Sequence, residues 1–387
     1  MNSTDERTSE VIVSEFERRY DIDWLRIIAV FMVFIFHSAR FFMIDEGIEW
    51  HVKNIPLDLG MTIFFNFLGG VGMPLFFIIS GMATFYFLGF VKAGLYTKAR
   101  FVRLMVPFLF GLFTHISIQV YLDRVSHGVP VGNFFEFYFT QYYVGLYGYG
   151  GNFPWTGFHL WFLILLFIFS LVTVKPFAYF RKEENLQKIS KVATFFTKPG
   201  AVYLLIIPVL IIELFNPLSI LGKFGGYNLF SLLIFYIIGF FLASDKKFKE
   251  SIEKHVLVAL IMGIGSTILL LVERLVIQND LLFWFLGLIY VWSWLIVILG
   301  LGSKHLNFNH KSRKFLNDIV MPFYVLHQTI IVIIGFFIVQ LDLIIILKYI
   351  IISVVSFALI IGLVLIIKQI NILRFMFGMA LKKKKVM

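Results

Sequence analysis

Apolar runs of roughly 16–30 residues alternate along the chain with short polar segments, and each run suits one helical crossing of a bilayer. Ten runs are read, at about 24–44, 59–89, 104–122, 159–174, 201–216, 228–243, 256–277, 281–302, 319–339 and 343–367. The pattern predicts an all-α, polytopic integral membrane protein with about ten transmembrane helices. A polar segment (1–20) precedes this unit and a basic tail (371–387) follows it. Residues 21–370 form the ten-span domain, with no soluble domain and no convincing internal repeat.

The polar segments alternate in charge, and this orients the spans. One set carries Lys92, Lys98, Arg100 and Arg103, then Lys175 to Lys198, then Lys246 to Lys254, then Lys304 to Lys314, and ends in Lys382–Lys385. The other set holds only Arg40, Lys53, Arg124 and Lys223. Lys and Arg concentrate on the cytoplasmic side, so both termini are expected there, in the plasma (inner) membrane. The even number of runs agrees with the charge bias. The first span is expected to serve as its own uncleaved signal, since residues 1–20 are polar and rich in Glu.

Composition supports the same class. The chain is 59% hydrophobic and only 15% charged, with mean hydropathy +0.88, too apolar for the surface of a soluble domain. The net charge of +11 lies in topology-setting segments and does not indicate nucleic-acid binding. There are no cysteines, which excludes disulfides, Cys-based metal sites and a cysteine acyl-enzyme. No HExxH or G-x-S-x-G occurs, and no His pair has ligand spacing beside an acid, so no metal site is expected. The glycines at 145–151 do not follow a strand and are not a dinucleotide fingerprint.

Two details concern backbone. Pro74, in GGVGMP, is expected to kink or break the second span. The long outer connection, about 123–158, is either a plain linker or a cap folded over a cavity.

The candidate chemistry begins in the first span, DWLRIIAVFMVFIFH (23–37). Arg26 and His37 lie eleven residues apart, close to three helical turns, so both fall on one face roughly 16 Å apart. An ionisable residue at the bilayer centre costs about 3 kcal/mol and normally faces protein or a cavity. Arg26 alone reads better as a side chain snorkelling to headgroups, and His37 as a structural hydrogen bonder; the shared face turns the pair toward function. Asp23 is placed to pair with Arg26. In KARFVRL, Lys98, Arg100 and Arg103 crowd the inner end of span three, as topology signals or as a phosphate clamp. His159 beside Trp161, and His327 with Gln328 after Pro322, line a cavity or make structural bonds. Glu213 and Glu273, the latter next to Arg274, are unusual intramembrane acids able to orient His37. His115 reads as a core residue, and His51, His127, His255, His305 and His310 carry no assignment.

Six ordered blocks resemble one family. RYDIDWLRIIAVFMVFIFH resembles the first span of membrane acyltransferase family 3, with its Arg-x10-His, and RFVRL is similar to that family's Arg-x-x-Arg. MPLFFIISGMA (73–83), QVYLD (119–123), GFHLWFL (157–163) and MPFYVLHQTIIV (321–332) resemble the branch associated with succinylating periplasmic glucans. The resemblance runs from about residue 20 to 370. It departs at QVYLD, where Ser117 and Ile118 replace prolines and Asp123 replaces Glu.

The resemblance implies an O-acyltransferase that moves an acetyl or succinyl group from cytoplasmic acyl-CoA to a hydroxyl of an extracytoplasmic carbohydrate or glycopolymer. It makes His37 and Arg26 the catalytic pair, with His37 as general base or as an acylated intermediate. It assigns Arg100 and Arg103, with Lys98 beside them, to acyl-CoA. Acyl-CoA is then a co-substrate, with no tightly bound cofactor. The expected partners are acyl-CoA, the glycan acceptor and the lipid bilayer, and self-association into a homo-oligomer is left open. A proton-coupled secondary transporter is the rival reading, suited by ten spans and buried His, Arg and Glu.

Overall fold

The computed structural model describes residues 19–44, 51–215, 223, 224 and 226–382. Most of the polar N-terminal segment and Lys383–Lys385 of the basic tail lie outside them, as does the Lys223 side chain. Among the described residues the fold is almost entirely helical, apart from one two-residue hairpin pairing Lys223–Phe224 with Tyr227–Asn228.

The helices are α1 (Tyr20–Ala39), α2 (Leu59–Phe90), α3 (Ala93–Arg100), α4 (Val106–Leu112), α5 (Ile116–Ser126), α6 (Phe134–Thr140) and α7 (Trp161–Phe180). Then follow α8 (Glu183–Phe196), α9 (Ile207–Phe215), α10 (Leu229–Leu242), α11 (Lys246–Lys254), α12 (Val256–Val272) and α13 (Asp280–His305). The chain ends in α14 (Lys311–Ile338), α15 (Ile345–Ile367) and α16 (Asn371–Met376). Among the described residues, eight helical segments are long and apolar enough to cross a membrane. The count reaches ten if each of two bent pairs is one span. The protein is a multi-pass membrane protein, as the hydrophobic pattern predicts.

The bent pairs are the expected spans five and six. Each apolar helix is short and joins a polar one: α8 meets the segment Ala201–Phe215 at 120°, and α10 meets α11 at 107°. The apolar runs at 201–216 and 228–243 therefore exist as helices, but their polar neighbours turn away instead of lengthening them.

Pro74 does not break span two: α2 runs on through it for 32 residues. Pro74 has no N–H for the Gly70 carbonyl four residues earlier. In the turn before it, the Tyr290 hydroxyl donates to Phe67 O at 2.6 Å and the Tyr227 hydroxyl donates to Gly69 O, tying this part of α2 to distant segments.

Span three is more broken than its apolar run suggests. A π-helical turn, Phe101–Met105, separates α3 from α4, and a turn at 113–115 separates α4 from α5. Pro107 has no N–H to return to the Arg103 carbonyl four residues earlier, which favours opening this turn. Gly378, at φ +67°, fits against the opened turn: a Cβ there would stand 2.8 Å from the Arg103 carbonyl oxygen.

The packing centres on α1, which contacts α2, α13, α14 and α15. α14 is the most enclosed span, with 72% of its apolar window buried against 28% for α15. α2 and α10 approach most closely at two glycines. A Cβ on Gly81 would stand 2.0 Å from Tyr236 O, and one on Gly239 would stand 2.1 Å from Ile78 O. Small residues let helix backbones meet in this way, where apolar lipid supplies no hydrophobic drive.

The long connection after α5 is ordered. α6 folds back so that the Tyr142 hydroxyl donates to Leu112 O at 2.6 Å and that of Tyr138 to Phe113 O at 2.8 Å. Val120, Val131, Phe137 and Tyr142 form a small core of their own beneath it. The segment is a folded cover on the ends of α4 and α5, not a plain linker.

Candidate active site

α1 carries two polar stations, one near each end, and α14 serves both. Near the α1 N-terminus, Arg26 donates to Asn317 Oδ1 of α14 at 3.3 Å and lies 3.6 Å from Asp23. Toward the other end, the rings of His37 and His327 of α14 have centroids 5.2 Å apart. Residue numbers rise together along both helices, 26 with 317 and 37 with 327, so α1 and α14 run parallel.

The first station is rich in guanidinium. Asp23 has Arg313 as its closer partner, and Arg313 also donates to Asn309 Oδ1 at 3.0 Å and sits over the Tyr20 ring. Arg100 donates to the Tyr96 hydroxyl at 3.1 Å and to Thr84 Oγ1 at 2.8 Å. The hydroxyls of Tyr96, Thr84 and Tyr236 bond one another, so neutral groups hold Arg100 in place without cancelling its charge. Arg103 lies within electrostatic reach of both Arg26 and Arg100, close enough for mutual repulsion. Arg26 and Arg103 thus face a carboxylate that is itself bound to Arg313, with Arg100 close beside them. Such a surplus of fork-shaped donors suits a phosphate-bearing ligand. Lys98 is exposed on α3 near the same mouth.

The second station gathers four histidines from four elements. His159 lies in a 3-10 turn (Phe158–Leu160) entered through Gly157, whose φ is +70°. Its ring centroid is 4.8 Å from that of His327. His115 joins from the turn before α5, its Nδ1 2.8 Å from Thr329 Oγ1 on α14. Gln119 donates to Thr329 Oγ1 at 2.6 Å, and Gln328 donates to Gln119 Oε1 at 2.9 Å. His159, His327, Gln119, Gln328 and Thr329 are all buried.

The hydrogen bonds of this station assign ring protons. A carbonyl oxygen only accepts, so His327 Nδ1 donates to Tyr324 O and His159 Nε2 donates to Val325 O. His327 Nε2 and His159 Nδ1 are then bare lone pairs. Both are buried with no hydrogen-bond partner among the described residues, and so is Gln328 Oε1. An unsatisfied buried acceptor costs about 1–3 kcal/mol, a cost a ligand's hydroxyl would relieve. Among the described residues, no three His, Asp or Glu side chains are arranged to hold a metal ion.

Other sequence candidates lie elsewhere. The Glu213 carboxylate accepts from Ser231 of α10, and buried Glu273 accepts from Asn279 N at 2.6 Å at the turn into α13. Glu213 is tied to its neighbouring helix and Glu273 closes a turn. Trp161 opens α7 and packs, half-buried, on the core.

Three of the participants that escaped the sequence reading are ionisable. Arg313 counted only as a topology charge, and His115 as core. The third is the pair of buried Asp123 with His51, a loop residue 3.6 Å away, flanked by Arg124 at 3.4 Å and His127 at 3.7 Å. QVYLD pointed to Asp123, but nothing in the sequence pointed to His51.

The comparisons bear on this geometry. Residues 19–367 match the model of the acyltransferase domain family, Acyl_transf_3. The chain belongs to the acyltransferase 3 family. The matched range contains both stations of α1. It is also similar to the glucans biosynthesis protein C of Salmonella heidelberg (strain SL476), 24% identical over 195 residues, or 49% of this chain and 47% of the relative. The protein of the same name from Salmonella paratyphi B is 25% identical over 177 residues, or 44% of this chain and 42% of the relative. The chain therefore spans about half the length of the curated relatives it matches. No solved structure matches it.

Proposed function

We propose that this acyltransferase takes an acetyl or succinyl group from cytoplasmic acyl-CoA. It transfers the group to a hydroxyl of a carbohydrate or glycopolymer beyond the membrane. The observation that carries this reading is the two-station build of α1 and α14, guanidiniums at one end and imidazoles toward the other. The Lys and Arg bias of the connecting segments supports a cytoplasmic N-terminal end for α1, with both termini inside a plasma (inner) membrane.

In this reading Arg26, Arg100 and Arg103 meet the phosphates of acyl-CoA, a co-substrate that is not held as a resident cofactor. Lys98 adds charge at the mouth. The arm carrying the thioester spans the roughly 16 Å from Arg26 to His37. His37 removes the acceptor proton as the hydroxyl oxygen attacks the thioester carbon; the carbon–sulfur bond breaks and CoA leaves as the thiol. The glucans for which the relatives are named support a sugar hydroxyl as acceptor.

The test is transfer of radiolabel from acetyl- or succinyl-CoA to glucan by purified protein. Wild type is expected to transfer label, and His37→Ala to lose on the order of 100-fold or more in rate. Label that stays on CoA with every acceptor, or that moves equally well in the variant, defeats the reading. Proton-coupled uptake of a solute by proteoliposomes without acyl transfer would favour a carrier instead.

A further inference from the structure

We propose that His327 is a second proton-carrying residue of the acyl-transfer site. It takes the proton that His37 collects from the acceptor hydroxyl and returns it to the departing sulfur. This rests on the acyltransferase reading above and adds a residue to it.

The ring is unusually constrained for a buried histidine. Its Nδ1–H is committed to the Tyr324 carbonyl one turn earlier on α14, so Nε2 is left as a lone pair. That nitrogen is buried and has no hydrogen-bond partner among the described residues. The ring lies beside His37, with centroids 5.2 Å apart, and beside His159, at 4.8 Å. A histidine serving only to brace α14 would need the Tyr324 bond and nothing at Nε2. A fixed base beside a second imidazole has a use for that lone pair.

His37 supplies the need. When it takes the hydroxyl proton it becomes an imidazolium in a desolvated site, which is unfavourable unless an N–H finds an acceptor. The His327 lone pair is such an acceptor, and its tautomer is already set. The balance closes without a further reactant. The hydroxyl O–H breaks as the new C–O bond forms, the C–S bond breaks, and the proton passes from His37 to His327 Nε2 and then to the thiolate. Both imidazoles end neutral.

His327→Asn separates the roles, because its side-chain amide N–H can still reach the Tyr324 carbonyl while the base at the Nε2 position is lost. Expected is a kcat for glucan acylation lower by on the order of 100-fold, with acyl-CoA affinity and melting temperature near those of wild type. A double variant with His37→Ala should be scarcely slower than His37→Ala alone, as for residues acting as one unit. Wild-type kcat in His327→Asn, or penalties that multiply in the double variant, would overturn the relay and leave the acyltransferase reading standing. A wild-type protein that transfers no label removes both. If His327→Asn misfolds, His327→Gln enters the same cycle under the same criteria.

Discussion

His51 shows how one loop residue ties an outer segment to the helical bundle. It is buried against Asp123 and the Phe158 ring, whose centroid lies 4.5 Å away. Burial holds the imidazole below its ordinary 6.5, while the Asp123 carboxylate pulls the other way. The unfolded chain therefore takes up the proton first as pH falls. Stability from this residue is complete above 6.5 and declines as pH drops from there toward the folded-state value. Melting temperature in detergent is expected to fall between pH 7.5 and 5.5, and His51→Gln to flatten that slope; equal slopes would rule out the assignment. At the other end, Arg103→Ala should weaken acyl-CoA binding about tenfold, whereas Lys98→Ala should change it little beyond a salt-sensitive fraction. Equal losses at equal salt would mean that only overall charge matters. At this scale the sequence was a partial guide. Arg26, His37, Arg100 and Arg103 stood out because charge and imidazole are costly in an apolar run. The partners Thr84, Tyr96, Tyr236 and Thr329 did not, because a hydroxyl in such a run is ordinary and its meaning depends on which helix it faces.

Helices bring those residues together, and two local devices set how. The π-helical turn at Phe101–Met105 adds a residue to its turn and so re-aims Arg100 and Arg103 relative to α4. Pro107→Ala restores the missing N–H and should let the turn close to a regular α-helix, rotating one side of the break by about 100° relative to the other. The expected outcome is a melting temperature no lower than wild type with acyl-CoA affinity down by about tenfold or more. A variant with unchanged affinity would show that the turn does not aim the arginines. The second device is the mutual glycine contact of α2 with α10. Gly81→Ala would press a methyl into the Tyr236 carbonyl and should destabilise the protein by about 3 kcal/mol, seen as lost folded yield or a lower melting temperature. The apolar runs announced nearly every long helix, because length and hydropathy alone decide what can cross a bilayer. They could not announce the unbroken α2, since its packing on distant segments is not written in its own sequence, nor the bends of the expected spans five and six.

Over the whole molecule, orientation is the property on which the reaction scheme depends. The chain contains no cysteine, so single-cysteine variants report orientation without background. Tyr149→Cys, in the folded cover beyond α6, should react with a membrane-impermeant maleimide on intact cells. Glu184→Cys, near the start of α8, should react only after permeabilisation. The reverse result would place the guanidinium station outside and end the route proposed for acyl-CoA. The expected orientation rests on the Lys and Arg distribution alone; the convergence of four histidines from distant parts of the chain could not be read from the sequence, because it arises only when α14 packs into the centre of the bundle.

The parallel register of α1 and α14 has a mechanical corollary. Arg26 with Asn317 and His37 with His327 are two rungs between the same two rails, so a slide or twist of one rail displaces both rungs together. A ligand that tightens the lower rung therefore alters the upper one, and by thermodynamic reciprocity whatever engages the upper rung is felt below. Two reactants arriving from opposite faces of a membrane would sense each other through the frame before they touch.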